Sequence, residues 1–368
     1  MVERFHGLDR HKRYTTIAVV NRAGEEVTLI SACRDLGAYI DTLRPEDAVV
    51  LEASSGAFWW ADRIETRGAQ CYILDPHKFK IIKDSWKKTD KHDARNMVRA
   101  LWVTLVSGEF GIPTVYKPSV LIRELRKLFS EYTLVSRQIT MHKNAIQAVL
   151  VENGIVLSAG EKSELFAGQT GEALLNRLSL STASRLIIGV SLHLVWTLQE
   201  AKEGLHQEIL LAGEPLAEQV KLLITVRGIS ALIALAFLAD VGDIHRFRNA
   251  KKLNAYLGLV PRMKESGGKS YAGHITRESR KLTRTILTQA VVQVTDASKH
   301  FRRFYDDLKM IKGAGRARIA LIRKLCSIMR RMLLDEQQFR SMNQELFARK
   351  MQAYERRLNA LKEQRKIS

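Results

Sequence analysis

The sequence predicts an α/β domain followed by a larger, mostly helical region. In the first third, short runs rich in β-branched and aliphatic residues alternate with helical stretches and turn signals, which is typical of α/β domains. The rest of the chain is basic, almost free of proline and rich in helix-forming residues. Residues 108–118, with two prolines and two glycines, separate the two patterns and predict a linker.

The first third is predicted to contain alternating strands and helices. The run that begins at Asp47 is almost continuously apolar, as expected for a strand buried at the centre of a sheet. Gly68 stands where a helix should end, and Asp75-Pro76 stops the last strand. The predicted strands are Glu3–Asp9, Thr15–Val20, Glu26–Ile30, Asp47–Ala53 and Ala69–Leu74. The predicted helices are Arg34–Leu43, Phe58–Arg67 and Asp93–Val106.

The remaining two thirds predict long helices and a second compact unit. Residues 119–151 and 161–211 suit long paired helices or a coiled-coil arm. Residues 221–290 have glycine-rich loops of their own, and residues 339–366 predict a highly charged helix. The predicted division is an α/β domain at 1–108, a helical arm at 109–215, a mostly helical C-terminal domain at 216–335 and a charged helix at 336–368.

The net charge is the least ordinary property of the composition. Lys and Arg total 59 against 39 Asp and Glu, which gives +20 at pH 7. A field of this size attracts polyanions, nucleic acid first. An anionic membrane surface would also be attracted, but no run in the sequence approaches the roughly 18 apolar residues that a spanning helix needs. Nucleic acid is therefore the predicted partner, and a membrane is not.

Two further features predict a cytoplasmic protein. The N-terminus, from Met1 to His6, lacks the basic-then-apolar layout of a signal peptide. The three cysteines are far apart and form no CxxC pair, which disfavours a zinc site or a disulfide framework and suits a reducing compartment.

Four acidic residues stand where phosphodiester chemistry would need them. Asp9 closes the first strand, and Glu52 ends the apolar strand, so both project from the edge where α/β sheets place their sites. Asp90 and Asp93 are three residues apart on one face of a helix, so both can point at the same ion. Oxygen ligands with open positions suit Mg²⁺ or Mn²⁺. The sequence therefore indicates a divalent metal site.

Each of these acids also has a structural interpretation. Asp90 could be a helix N-cap, and Asp93 a first-turn acid that the helix dipole favours. Glu52 is harder to explain in this way, because an ionisable group after four apolar strand residues is costly unless it is paired, hydrogen-bonded or metal-bound.

Three N-terminal motifs resemble a known family. They are GLDRHK at 7–12, VVLEASSG at 49–56 and KTDKHDA at 88–94. In this order they resemble the N-terminal domain of the IS110/IS1111 family of transposases, which includes the Piv-type DNA invertases. The resemblance implies a RuvC-like variant of the RNase H fold. Its Asp-Glu-Asp-Asp tetrad maps onto Asp9, Glu52, Asp90 and Asp93.

The resemblance continues in the C-terminal third. Leu223–Ser230, Ala239–Ile244 and Ala255–Arg262 resemble the family's motifs there, although Arg227 and Ser230 replace a usual proline and glycine. Glu278-Ser279 also stands where many relatives have glycine and asparagine.

The resemblance implies that Ser266 is a nucleophile that attacks DNA and forms a phosphoserine link. Ser266 is followed by two glycines, which carry no side chains to obstruct a phosphate. A metal ion held by the tetrad would ease deprotonation of the hydroxyl. The loop alone favours an ordinary turn residue at Ser266, and it is the resemblance that reverses this preference. Ser270 is the second choice of nucleophile.

Basic and aromatic residues predict the nucleic-acid contacts. The basic segment 312–318 predicts a mobile loop. Trp59, Trp60 and Trp102 could stack on bases, although core packing is expected for at least two of them. Phosphate-binding candidates lie around Ser266, and affinity through them should fall with salt. They are Lys264, Lys269, Arg277, Arg280, Lys281 and Arg284, with Arg262 beside them.

The predicted function is that of a DNA transposase that cuts and rejoins element ends and target DNA. The resemblance implies an element-encoded noncoding RNA as guide. Strand exchange needs several strands held together, which predicts a homodimer or homotetramer. Two alternatives stay open: a metal-dependent, junction-resolving nuclease with water as the nucleophile, and a non-catalytic nucleic-acid-binding protein with a degenerate RNase H-like domain.

Overall fold

The computed structural model describes residues 1–82, 89–108, 111–266, 269–275 and 281–367. The chain divides into two compact units, 1–117 and 118–368, so the boundary falls inside the predicted linker segment. Within unit 1 the residues before this boundary line the edge of the sheet, where the Val115 N–H donates to the carbonyl of Ile73 at 2.7 Å.

Unit 1 is an α/β domain built on a mixed sheet. Among its described residues the strand order is β3-β2-β1-β4-β5. Strand β2 is antiparallel to both β1 and β3, whereas β4 runs parallel to both β1 and β5. The strands are β1 (Arg4–Arg10), β2 (Thr15–Asn21), β3 (Glu26–Cys33), β4 (Asp47–Glu52) and β5 (Gln70–Leu74). The helices are α1 (Leu36–Asp41), α2 (Ala57–Glu65), α3 (Pro76–Ile82) and α4 (Asp90–Val106).

Helices cover both faces of this sheet, and strand alternation decides which residue faces which helix. Phe5 and Val50 pack with α4 in one core cluster. Leu8 and Leu51 pack with α1 and α2 in the other. Gly7 lies opposite α4, where an added Cβ would approach the carbonyl oxygen of Ala94 to 2.3 Å. Helix α4 therefore packs directly on the β1 backbone.

Unit 2 is mostly helical. It contains one two-stranded antiparallel hairpin among its described residues. Its helices are α5 (Val120–Glu152), α6 (Ala159–Leu165), α7 (Gln169–Arg177), α8 (Thr182–Ala212), a 3₁₀ turn (Glu214–Leu216), α9 (Ala217–Ile224), α10 (Ala231–Val241), α11 (Ala250–Tyr256), α12 (Leu282–Ala297), α13 (Lys299–Lys312), α14 (Ala314–Asp335) and α15 (Gln344–Ile367). The hairpin strands are β6 (Pro261–Ser266) and β7 (Lys269–Ile275).

Two long helices, α5 and α8, pair as predicted, but the second predicted segment, 161–211, also contains most of α6 and all of α7, so its long helix begins only at Thr182. The start of α5 shares a core with the end of α8, through Leu125, Phe129 and Ile209. The far end of α5 packs on the start of α8 in a second cluster, which includes Leu150 and Ile188. The two helices are therefore antiparallel. The main core of unit 2 surrounds α10, which is buried from Ile233 to Val241.

The prediction of a basic loop at 312–318 is wrong. Helix α13 ends at Lys312, Gly313 turns the chain with φ of 78°, and α14 begins at Ala314. Gly315 suggested a loop, but a glycine in a helix costs about 1 kcal/mol, which burial of the apolar face of α14 offsets.

Across the described part of the chain, no helix combines the length and the apolar character that crossing a bilayer requires.

Candidate active site

Asp9 and Glu52 lie side by side at one edge of the sheet. The last paired residues of the parallel strands β1 and β4 are Leu8 and Leu51, and each acid is the next residue along its strand. Parallel neighbours are about 5 Å apart, so the two carboxylates begin from adjacent positions. Strand alternation directs both toward the face that α4 covers.

The first turn of α4 brings Asp90 to the same place. The helix is held against Gly7, two residues before Asp9, and Asp90 lies on the same side of α4 as the buried Ala94. His11 lies between Asp9 on the strand and Asp90 on the helix. Its Nε2 lies 3.2 Å from Asp9 Oδ2 and 3.3 Å from Asp90 Oδ2. The Asp9 side chain is 13 % exposed and that of Asp90 is 43 % exposed, so the group opens to solvent on the helix side.

Tyr14, at the turn between β1 and β2, fixes the orientation of Asp90. Its hydroxyl donates to Asp90 Oδ2 at 2.8 Å. This hydrogen bond, together with the charge of Asp90, raises the pKa of Tyr14 above its ordinary value. The tyrosine therefore remains a donor at neutral pH.

The structural interpretation of Asp90 as an N-cap is wrong. Thr89 is the N-cap, and its side chain accepts a hydrogen bond from the His92 N–H at 3.3 Å. Asp90 is the first residue of the helix and is directed to His11 and Tyr14. Asp93 is a first-turn acid, three residues on, at the edge of the side of α4 that carries Asp90.

Arg10 ties the end of β1 to the loop that follows Glu52. Its guanidinium donates to Ser54 Oγ at 3.2 Å and to the carbonyl of Ser55 at 3.3 Å. It also lies over the ring of Trp60, 5.7 Å from the centroid. Burial lowers the pKa of Arg10, but the value of an arginine is so high that the charge remains. This contact fixes the β4–α2 loop relative to Asp9.

The three tryptophans divide as expected between core and surface. Trp60 packs against the α1–α2 core, and Trp102 packs against the α4 core with its indole N–H donating to the carbonyl of Arg22 at 3.0 Å. Trp59 is 57 % exposed and meets Trp60 edge-on. Trp59 is thus the tryptophan of this group that can contact another molecule.

The donor set fits a small divalent cation. One ligand atom each from Asp9, His11 and Asp90 lies within 4.8 Å of the others. The imidazole of His11 bridges the two carboxylates, a place that a cation would also take. Carboxylate oxygens suit Mg²⁺ and Mn²⁺, and the imidazole nitrogen suits Mn²⁺ better than Mg²⁺. The sequence reasoning missed His11, although its position two residues after Asp9 could have indicated it.

Ser266 lies in unit 2, at the end of a strand. It is the last residue of β6 and pairs with Lys269 at the start of β7. The two residues between them, 267 and 268, lie outside the described residues, as do the side chains of Lys264, Ser266 and Lys269. Ser266 is therefore the last described residue of β6, and Ser270 follows Lys269 along β7 and pairs with Glu265.

The described basic candidates have different environments. Arg284 donates to the carbonyl of Gly258 at 3.1 Å, so it has a structural partner. Lys281 is exposed at the start of α12 and lines a cavity of 420 Å³ with Arg126 and Arg137 of α5. Sequence reasoning missed these two arginines because they are distant along the chain. The remaining candidates, Arg277 and Arg280, lie outside the described residues.

Comparisons with known proteins agree with the sequence motifs. A family model for the transposase IS116/IS110/IS902 family matches residues 220–306, which include the β6–β7 hairpin. The chain is 26% identical over 302 residues to the transposase for insertion sequence element IS1111A of Coxiella burnetii, with 79% of each chain covered. It is 24% identical over 351 residues to a "probable family 20 transposase" of Pseudomonas aeruginosa, with 91% of this chain and 94% of the relative covered. Through these comparisons and its own motifs, the chain is similar to transposases of the IS110/IS1111 family.

Proposed function

We propose that this protein is a DNA transposase that cuts and rejoins DNA through Ser266, assisted by a divalent ion held in unit 1. The observation that carries the proposal is the convergence of Asp9, His11 and Asp90 within 4.8 Å at the edge where β1 and β4 end. Glu52 follows the same register, and Asp93 follows Asp90 on α4. A RuvC-like form of the RNase H fold for unit 1 is part of the proposal, supported by the mixed sheet and the position of these acids.

The chain's own residues prepare this site. Asp9, Glu52, Asp90 and Asp93 would hold Mg²⁺ or Mn²⁺, which when bound supplies Lewis-acid stabilisation of the reacting phosphate. Tyr14 holds one oxygen of Asp90, and His11 lies between the carboxylates of Asp9 and Asp90. Arg10 orders the loop after Glu52 and contributes positive charge.

The proposed covalent step conserves the phosphodiester. The Oγ of Ser266 attacks phosphorus and loses its proton to solvent or to a nearby base. The bond from phosphorus to one strand's terminal oxygen breaks, and that oxygen leaves with a proton. A serine–phosphate ester replaces the broken bond, so a second strand's hydroxyl can reverse the reaction and join to the phosphate. Delivery of Ser266 from unit 2 to the metal site is part of the proposal.

The nucleic-acid partners are element ends and target DNA, with a noncoding RNA as guide. The net charge of +20 and the basic group around Lys281 support binding to phosphates. A homodimer or homotetramer is proposed, because exchange of strands requires more than one nucleophile held together.

The nucleophile can be tested by trapping the covalent intermediate. End-labelled element DNA is incubated with protein and Mn²⁺, then denatured and separated by size. The wild type and Ser270→Ala should give a protein–DNA adduct, whereas Ser266→Ala should give none. An adduct that survives in Ser266→Ala would reject the assignment of the nucleophile. Cleaved ends without any adduct in the wild type would favour the water-dependent nuclease.

The metal site is tested separately. Asp9→Asn should lower cleavage at least about a hundredfold, because it removes a charged ligand from the centre that stabilises the transition state. DNA binding should be unchanged. Glu3→Gln is the matched control and should cleave normally. Glu3 directly precedes Arg4, the first residue of β1, at the end of the strand opposite Asp9. DNA binding without cleavage by the wild type in either Mg²⁺ or Mn²⁺ would favour the non-catalytic alternative.

A further inference from the structure

The turn that connects α9 and α10, called the α9–α10 hairpin below, directs three backbone carbonyls at one point. Helix α9 ends at Ile224, and α10 begins at Ala231 after Ser230 caps it. The carbonyl oxygens of Ile224, Val226 and Ile229 lie 2.8, 3.0 and 2.9 Å from the Nζ of Lys350. An ammonium group has three N–H donors, and each has one of these oxygens as acceptor.

Lys350 comes from α15, more than a hundred residues away in the sequence, and its side chain is half-buried. Burial lowers its pKa to about 8, which leaves the ammonium form in the majority at neutral pH. Ile224 is the last residue of α9, so its carbonyl has no partner within the helix, and the ammonium supplies one. The Val226 carbonyl also accepts from the Ile229 N–H at 3.2 Å, so the ammonium is its second donor.

We propose that these three carbonyls form a monovalent-cation site and that the ammonium group of Lys350 is its built-in occupant. Converging carbonyl oxygens are ligands that replace the hydration shell of ions such as potassium. With the cation supplied by α15, the hairpin is ordered without an ion from solution.

The ordered α9–α10 hairpin in turn holds α12, the helix that follows β6 and β7 in sequence. Gly228 has φ of 84°, and an added Cβ would lie 2.6 Å from Val294 Cγ2 on α12. Arg227 donates to the carbonyl of Ala297 at 2.7 Å, at the end of the same helix. The carbonyl site therefore lies beside the contacts that hold the C-terminal end of α12.

An external ion has a route to the carbonyls once the lysine is shortened. A cavity of 420 Å³ lies beside the hairpin and is lined by Gly228, Ser230, Arg357 and Lys350 itself. Replacement of Lys350 by alanine would enlarge this cavity up to the carbonyl oxygens. The site should then bind potassium or ammonium, which are small enough to enter, and exclude tetramethylammonium.

The test measures melting temperatures in chloride salts of equal ionic strength. In tetramethylammonium chloride, Lys350→Ala should melt about 4–10 °C below the wild type, because three carbonyl oxygens each lose the hydrogen bond from the ammonium group. Potassium or ammonium chloride should restore at least half of this difference. The difference in melting temperature between the wild type and Arg349→Ala should be the same in all three salts. Arg349→Ala is the matched control, because it removes the neighbouring charge, which pairs with Glu345 at 2.6 Å.

Lys350→Met adds a second control. Its apolar chain fills the space of the lysine, so it should be destabilised without rescue by any of the salts. Equal destabilisation of Lys350→Ala in all three salts would overturn the proposal. Failure of Lys350→Ala to fold in both potassium and tetramethylammonium salts would overturn it as well, whereas folding in potassium alone would support it.

Discussion

At the scale of single residues, the site depends on side chains that are not themselves acids. His11 lies between Asp9 and Asp90, and Tyr14 holds the outer carboxylate by one hydrogen bond. Both come from the short β1–β2 connection, so this turn orients a carboxylate that the sequence places almost eighty residues later. Tyr14 acts through Asp90 and would affect ion affinity without binding the ion.

Tyr14→Phe should therefore weaken Mn²⁺ binding about tenfold, the low end of the range for partners of metal ligands. Titration of the protein with Mn²⁺, followed by the relaxation of water protons, measures this. Tyr72→Phe is the control, because it removes a hydroxyl that donates to Gln70 at 2.9 Å elsewhere in unit 1. Equal affinity in Tyr14→Phe and the wild type would show that the hydrogen bond does not position Asp90.

A second set of residues, at the other end of the sheet, predicts a dependence of stability on pH. Asp47 is buried and accepts from Arg4 at 2.8 and 2.7 Å and from the Arg44 N–H at 2.8 Å, with His6 beside it. Burial would raise the pKa of Asp47, but hydrogen bonds from His6, Arg4 and Arg44 outweigh it and hold the pKa well below its usual range.

Because the folded pKa of Asp47 is depressed, its contribution to stability is present above the unfolded pKa of about 3.9 and is lost as the pH falls toward the folded value. Asp47→Asn should cost about 3 kcal/mol at pH 7, as expected for one partner removed from a buried ion pair, and less at pH 3. Urea unfolding of unit 1 at both pH values measures the difference. A cost that stays constant between them would contradict the assignment.

At the scale of elements, the contact between α4 and β1 decides where Asp90 lies. Gly7→Ala would place a methyl carbon 2.3 Å from the Ala94 carbonyl, so helix and strand must separate. We expect a loss of about 1–3 kcal/mol of unfolding free energy, typical of overpacking, together with weaker Mn²⁺ binding. Urea unfolding and the Mn²⁺ titration measure the two effects.

Gly111→Ala is the control for this variant, because nothing lies within 4 Å of a Cβ added there. If Gly7→Ala keeps both the stability and the ion affinity of the wild type, the close approach of α4 is not what positions Asp90.

The same elements show how far the sequence could be read. The apolar run at Asp47 and the amphipathic pattern before Val106 predicted β4 and α4 almost to their ends. The start of α4 was missed by three residues, because Thr89 and two acids can all begin a helix and the pattern does not say which one does. The strand ends and the helical spacing indicated the four acids, and the family resemblance assigned them to one tetrad.

Other contacts could not be predicted because they join distant segments. In the sequence, Lys350 is one of many charged residues in the terminal helix. Its three acceptors are backbone carbonyls, which every residue has, so no sequence pattern marks them. The sequence indicates only that His11 lies in a loop. Its role becomes visible when the structure places the β1–β2 turn beside the first turn of α4.

At the scale of the whole molecule, the excess of positive charge predicts binding that depends on salt. For a protein that makes about six to ten phosphate contacts, affinity for DNA should fall about 10³–10⁵-fold between 50 and 200 mM salt. Fluorescence anisotropy with labelled duplexes across this range measures the slope. Lys281→Ala should reduce the slope by about one if that residue contacts a phosphate. A flat salt dependence would contradict phosphate binding as the main source of affinity.

The antiparallel pair of α5 and α8 has a mechanical consequence. A helix of 33 residues such as α5 is about 50 Å long, so a tilt of about 5° at Leu125 and Phe129 moves its far end by about 4 Å. That displacement exceeds one base-pair step along a duplex. Small changes of packing at the root of the pair are thereby amplified into movements on the scale at which nucleic acids are aligned.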